Sequence, residues 1–220
     1  MNLKVHLVIA FIISLVCVIG FIFISLLISD HKIIDFDSDV IAAIQGLESP
    51  TLTKVMKFFT LIGSFSVVSV IIIILIIFLY KVLHHRLELI LFISAIIGSA
   101  VLNQILKLIF HRVRPDFHRL IDISGYSFPS GHAMNAFTVY VILSFLLWRH
   151  IPSRWGRSVL IIFSVFMIMA IGISRIYLGV HYPSDIIGGY LASGFWLTVA
   201  IWFFQFYQEK RYNKKYKSGT

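Results

Sequence analysis

The sequence predicts an all-α, polytopic membrane protein, and three observations carry that reading. Of 220 residues, 59% are hydrophobic and 13% charged, where an ordinary soluble domain carries about 25% charged residues. Six apolar runs, at residues 5–29, 58–80, 87–109, 132–149, 157–177 and 185–207, have the ~17–25 residues a helix needs to cross ~30 Å of hydrocarbon. The links between these runs alternate in charge. Residues 1–220 are read as one domain.

The first run has too long an apolar core for a signal peptide and no small-residue cleavage site after it, so it is expected to be a span. It holds Cys17, the single cysteine, which rules out an intramolecular disulfide and argues against a cysteine-built metal site. Cys17 is expected to be a small buried apolar side chain.

The link at 30–57 contains SDVIAAIQGLE, where Val40, Ile41, Ile44 and Leu47 share one helical face and Asp39, Gln45 and Glu48 turn elsewhere. This predicts a short amphipathic helix on the outer membrane surface, capped by Ser38. Ser49-Pro50 ends it before the second span. In the third span, Ser94/Gly98 and Ala95/Ser99 recur at four-residue spacing, which suits close helix packing.

Lys4, the links KVLHHR and WRHIPSRWGR, and the C-terminal tail carry Lys and Arg with almost no acid, while the links at 30–57, 110–131 and 178–184 are mixed. The first set is therefore expected in the cytoplasm, with both termini. The formal charge of +9 gathers in those links and in KRYNKKYK. There is no basic stripe with interleaved aromatics, so no nucleic-acid partner is expected.

Parity then locates the costly residues. The third span runs outward to Lys107, the fourth begins inward from His132, the fifth runs outward to Arg175, and the sixth begins at Asp185. All reach one outer face, which suggests a single polar site there. Alone, each residue has an ordinary explanation: Lys107 as a snorkelling lysine, Arg114 beside Pro115 as loop, Ser130 as a cap, His132 as an interfacial histidine, Asp185 as a cap.

Together they make a different set. In FPSGHAMN, Ser130 and Gly131 open a helix whose free N–H groups suit an anion. In SRIYLGVHYPSD, Asp185 follows His181 by four residues, so it can hold one ring N–H and leave the other nitrogen free to attack. Lys107, Arg114 and Arg175 supply three cations, enough for a group with two or more negative charges. Two histidines allow a nucleophile and an acid without a metal.

These residues resemble the signature of the type 2 phosphatidic acid phosphatases, K-x6-R-P, P-S-G-H and S-R-x5-H-x3-D, here KLIFHRVRP (107–115), PSGH (129–132) and SRIYLGVHYPSD (174–185). The six-span layout is similar too. The resemblance implies an integral-membrane lipid phosphatase needing no cofactor. In it His181 forms a phosphohistidine, Asp185 orients His181 and His132 protonates the leaving oxygen. Lys107, Arg114, Ser130, Gly131 and Arg175 would hold the phosphate. The expected partners are the bilayer and a lipid phosphate: phosphatidylglycerol phosphate, undecaprenyl pyrophosphate or phosphatidic acid. The site would face outward from a cell membrane, as in bacterial members, with Phe117, Tyr126 and Tyr182 lining the approach. A phosphotransferase with an acceptor other than water, or a transporter, is the alternative.

Overall fold

The computed structural model describes residues 3–81, 86–116, 118–148 and 150–217. Among them the regular structure is helical throughout: α1 Leu3–Ser29, α2 Ile34–Gln45, α3 Pro50–Ile62, α4 Phe65–Lys81, α5 Arg86–Phe110, α6 Gly131–Trp148, α7 Arg154–Tyr177 and α8 Pro183–Lys217. Five helices (α1, α5, α6, α7 and α8) are long and apolar enough to cross a membrane, and α3 with α4 meets the same measure only as a pair, bent by 50° at their junction.

The second span is thus broken, and it starts earlier than residue 58. Ser49 Oγ accepts the N–H of Leu52 at 3.3 Å and Pro50 takes the first helical position, so α3 begins well inside the link. It stops at Gly63, whose backbone presses into its neighbours. A Cβ there would lie 2.6 Å from Ile171 Cγ2 and 3.3 Å from His132 Cδ2. Only a residue without a side chain lets the elbow approach α7 and the start of α6 so closely.

The helix in the first outer link is present, but Ser38 does not cap it. α2 starts at Ile34, Ser38 lies inside it, and Ile33 in the capping position makes no side-chain bond. Its buried stripe is Ile33, Asp37 and Ile41, with Ile44 half-buried behind them, and it packs on α7 and α8. Leu47, expected on this face, is 68% exposed beyond the helix end. The stripe that holds α2 down therefore includes a carboxylate.

α5, α6 and α8 enclose a cluster of Leu91, Phe92, Ala95, Ile142, Leu146 and Leu197. Small residues of α5 do the close packing. Trp196 Nε1 donates to the Ala95 carbonyl at 3.0 Å, and a Cβ on Gly98 would fall 1.9 Å from Trp196 Cζ2. Thr138 Oγ1 donates to Ser99 Oγ at 2.9 Å, tying α6 to α5. Cys17 is half-buried rather than fully buried, with its Sγ against Gly194 of α8.

Candidate active site

The site lies where α5 and α7 end and α6 and α8 begin, as the parity of the spans required. The segment leaving α5 is irregular, because Pro115 cannot continue a helix. It delivers Arg114 into the interior, where Nε donates to Gly125 O (2.9 Å), Nη1 to Val180 O (2.9 Å) and Nη2 to Tyr126 O (3.2 Å). Lys107, on the last turn of α5, donates from Nζ to the same Tyr126 carbonyl at 2.8 Å. These backbone acceptors hold two like charges at one mouth.

Arg175 occupies the last turn of α7 and is 1% exposed. One Nη1 bond goes to Thr60 Oγ1 of α3, while its Nε is buried without a hydrogen-bond partner. Ser130 caps α6: its Oγ accepts from Ala133 N at 3.4 Å, and its N–H donates to Asp185 O at 3.1 Å. The first turn of α6 thus presents the N–H groups of Gly131 and His132, which have no acceptor within the helix. His132 stands there in the field of Arg175, Arg114 and Lys107.

His181 lies in the short turn between α7 and α8, which Gly179 permits with a φ of +71°. Its Nδ1 is 3.2 Å from Asp185 Oδ2 and its Nε2 is 3.1 Å from Arg114 Nη1. A guanidinium only donates, so Nε2 must be the accepting nitrogen, and the ring proton sits on Nδ1 facing Asp185. Burial pushes this imidazole well below its ordinary range, and the charges of Arg175, Arg114 and Lys107 push the same way. His181 is therefore neutral at physiological pH, with a lone pair on Nε2 directed at the cationic cluster. That is the form a nucleophile needs.

Asp185 has no exposed surface. Besides His181, its Oδ2 accepts from Tyr182 N at 2.9 Å, and its Oδ1 accepts from Arg112 Nη1 at 2.7 Å. Sequence reasoning missed Arg112, as well as its other partners Ser184 and Asp37 and the Thr60 hydroxyl that holds Arg175. One signal was present: Asp37 follows Ile33 and precedes Ile41 by four residues, placing an acid on a buried helical stripe.

Eight of the expected site residues come together: Lys107, Arg114, Ser130, Gly131, His132, Arg175, His181 and Asp185. Of the three expected along the approach, Tyr126 is 38% exposed with its ring edge-on to His111 at 4.6 Å. Tyr182 lies under Arg112, 4.0 Å from guanidinium carbon to ring centre. Phe117 lies outside the described residues. Three cations, the free end of a helix and a neutral histidine backed by a carboxylate suit an oxyanion held beside an imidazole that carries a lone pair.

Known proteins are similar to this chain in sequence and in fold. Phosphatidylglycerophosphatase B of Bacillus subtilis is 47% identical over 92 residues, 41% of this chain and 45% of that relative. The chain thus spans less than half the length of that relative. Undecaprenyl-diphosphatase BcrC of Bacillus subtilis is 27% identical over 76% of this chain and 82% of its own. The crystal structure of the first transmembrane PAP2 type phosphatidylglycerolphosphate phosphatase from Bacillus subtilis superposes with a TM-score of 0.75 at 30% identity. That superposition covers 90% of this chain and 96% of the other. A family profile matches residues 88–209, more than half of the chain and all of the site from Lys107 to Asp185, and by it the chain belongs to the PAP2 superfamily.

Proposed function

We propose that this chain removes the terminal phosphate of a membrane lipid, without a metal, at the outer face of a bacterial cell membrane. The observation that carries the reading is the state of His181: proton on Nδ1 toward Asp185, lone pair on Nε2 toward three cations.

In this reading the phosphate settles between Lys107, Arg114, Arg175 and the first N–H groups of α6. Nε2 of His181 attacks phosphorus in line and the P–O bond to the lipid breaks. His132, which takes up a proton once the dianionic phosphate offsets the three cations, gives it to the leaving oxygen. The phosphohistidine is then cleaved by water, whose proton returns to His132, and inorganic phosphate departs. Asp185 stabilises the charge that His181 acquires in the first step. The site is already strongly cationic, so transition-state charge is met by fixed guanidinium and ammonium groups.

The lipid is phosphatidylglycerol phosphate, undecaprenyl pyrophosphate or both, with phosphatidic acid a further candidate. The relatives support this by their names, and a rim where polar residues meet exposed apolar helices suits a headgroup above hydrocarbon. Tyr126 and Tyr182, with Phe117, are proposed to line the approach. With six crossings and the links rich in Lys and Arg inside, both termini are proposed to lie on the cytoplasmic side.

The test is phosphate release from a panel of these lipids by protein purified in detergent with excess EDTA. Wild type should turn over, His181→Ala should lose on the order of 10⁴-fold or more, and His132→Ala about 10²–10⁴-fold. Activity abolished by EDTA and restored by a divalent ion would overturn the metal-free step. Turnover surviving in His181→Ala would overturn the nucleophile. Transfer of phosphate to a non-water acceptor in place of release would make the chain a phosphotransferase.

A further inference from the structure

By charge and position Arg112 reads as a fourth phosphate ligand, two residues before Arg114 and beside the same mouth. Its bonds say otherwise. Nη1 donates to Asp185 Oδ1 and Ser184 Oγ, both at 2.7 Å, and Nη2 donates to Asp37 Oδ2 at 2.8 Å. One face of the guanidinium lies on the Tyr182 ring. Its side chain is 13% exposed, and the two carboxylates it holds are 2% and 0% exposed. Both terminal nitrogens are committed behind His181, away from the nitrogen that attacks.

Resting on the phosphatase reading above, we infer that Arg112, clamped by Asp37 of α2, is a positioning residue for the nucleophile and takes no part in phosphate binding. Asp185 divides its oxygens: Oδ2 serves His181 Nδ1 and Tyr182 N, and Oδ1 serves Arg112. The carboxylate cannot turn about its Cβ–Cγ bond without breaking the Arg112 bond. With Oδ2 fixed, the ring proton stays on Nδ1 and the lone pair on Nε2 stays aimed at phosphorus.

Asp37 explains why Arg112 does not swing toward the phosphate. Its Oδ1 accepts from Ser184 N at 2.9 Å, and its Oδ2 accepts from Ser184 Oγ at 2.6 Å as well as from Arg112. It sits at the N-terminus of α8, where a negative charge is favoured. Two carboxylates against one guanidinium leave a net negative charge behind His181, opposite the cations in front. Arg112 is thereby a cation the substrate does not meet, and α2 becomes a working part of the site.

The experiment compares Arg112→Ala, Arg112→Lys and Asp37→Asn with wild type in detergent, reading kcat, KM and the inhibition constant of inorganic phosphate, which meets the phosphate ligands without bonding to His181. Arg112→Ala should lose about 10²-fold in kcat, with KM and phosphate inhibition changed by no more than about 2-fold. Added guanidinium ion should restore part of kcat in Arg112→Ala and leave wild type unaffected. Arg112→Lys should not recover, because one ammonium cannot span Ser184, Asp185 and Asp37. A phosphate inhibition constant weakened about tenfold at constant kcat would make Arg112 a phosphate ligand, and an unchanged kcat would make it idle; either overturns the inference. Should Arg112→Ala fail to fold, Asp37→Asn decides: lost kcat at constant phosphate inhibition supports it, and wild-type kcat overturns it. An active wild type with an indifferent Arg112 variant defeats this inference alone. A wild type inert on every lipid phosphate defeats the phosphatase reading and this inference with it.

Discussion

His181 shows how much a single side chain owes to its surroundings. A buried imidazole facing three cations loses its proton more readily than a free one, so its charged form is populated only in acid well below about 6.5. In substrate-free protein carrying 15N-labelled histidine, the His181 ring resonances should remain those of the neutral form, proton on Nδ1, as pH falls through 6.5. An imidazolium pattern at that pH would show the cluster is less enclosed than the structure indicates. His181 and its carboxylate were legible because two groups four residues apart across a helix start come face to face. Arg112 was not legible as anything but another cation. Charge is written in the sequence, but the acceptor that claims it, on a helix 75 residues away, is not.

Among the elements, α5 and α8 approach closely where Trp196 meets Gly98, and a Cβ there would fall 1.9 Å from Cζ2. Gly98→Ala should destabilise the protein by about 1–3 kcal/mol through overpacking, seen as a lower Tm in detergent. An unchanged Tm would mean the ring moves aside freely. The small-residue spacing that marks this contact could be read directly, since only small side chains allow such approach. The break in the second span could not. Hydropathy measures the preference for lipid over water and runs without interruption through Leu61, Ile62 and Phe65, whereas the break depends on what Gly63 meets in other helices. The start of α2 escaped for a related reason. Ile33 holds the first position by being buried, with no capping side chain for the sequence to show.

On the scale of the whole molecule, the proposed orientation can be mapped residue by residue, because Cys17 is the one cysteine. In a Cys17→Ala background, Asp122→Cys should react with a membrane-impermeant maleimide from outside intact cells, and Pro152→Cys only after permeabilisation. The reverse pattern would turn the active site toward the cytoplasm. The chain separations inside the site carry a further consequence, for biogenesis. Arg114 meets Val180 across 66 residues, Arg112 meets Asp185 across 73, and Asp37 meets Ser184 across 147. None of these bonds can form until the start of α8 has left the ribosome and reached the bilayer. A nascent chain that stops short of α8 therefore carries buried-type charges with no counterpart. Such charges stranded near lipid are costly, so the cluster is assembled late, after the helices that carry most of its charges are already in place.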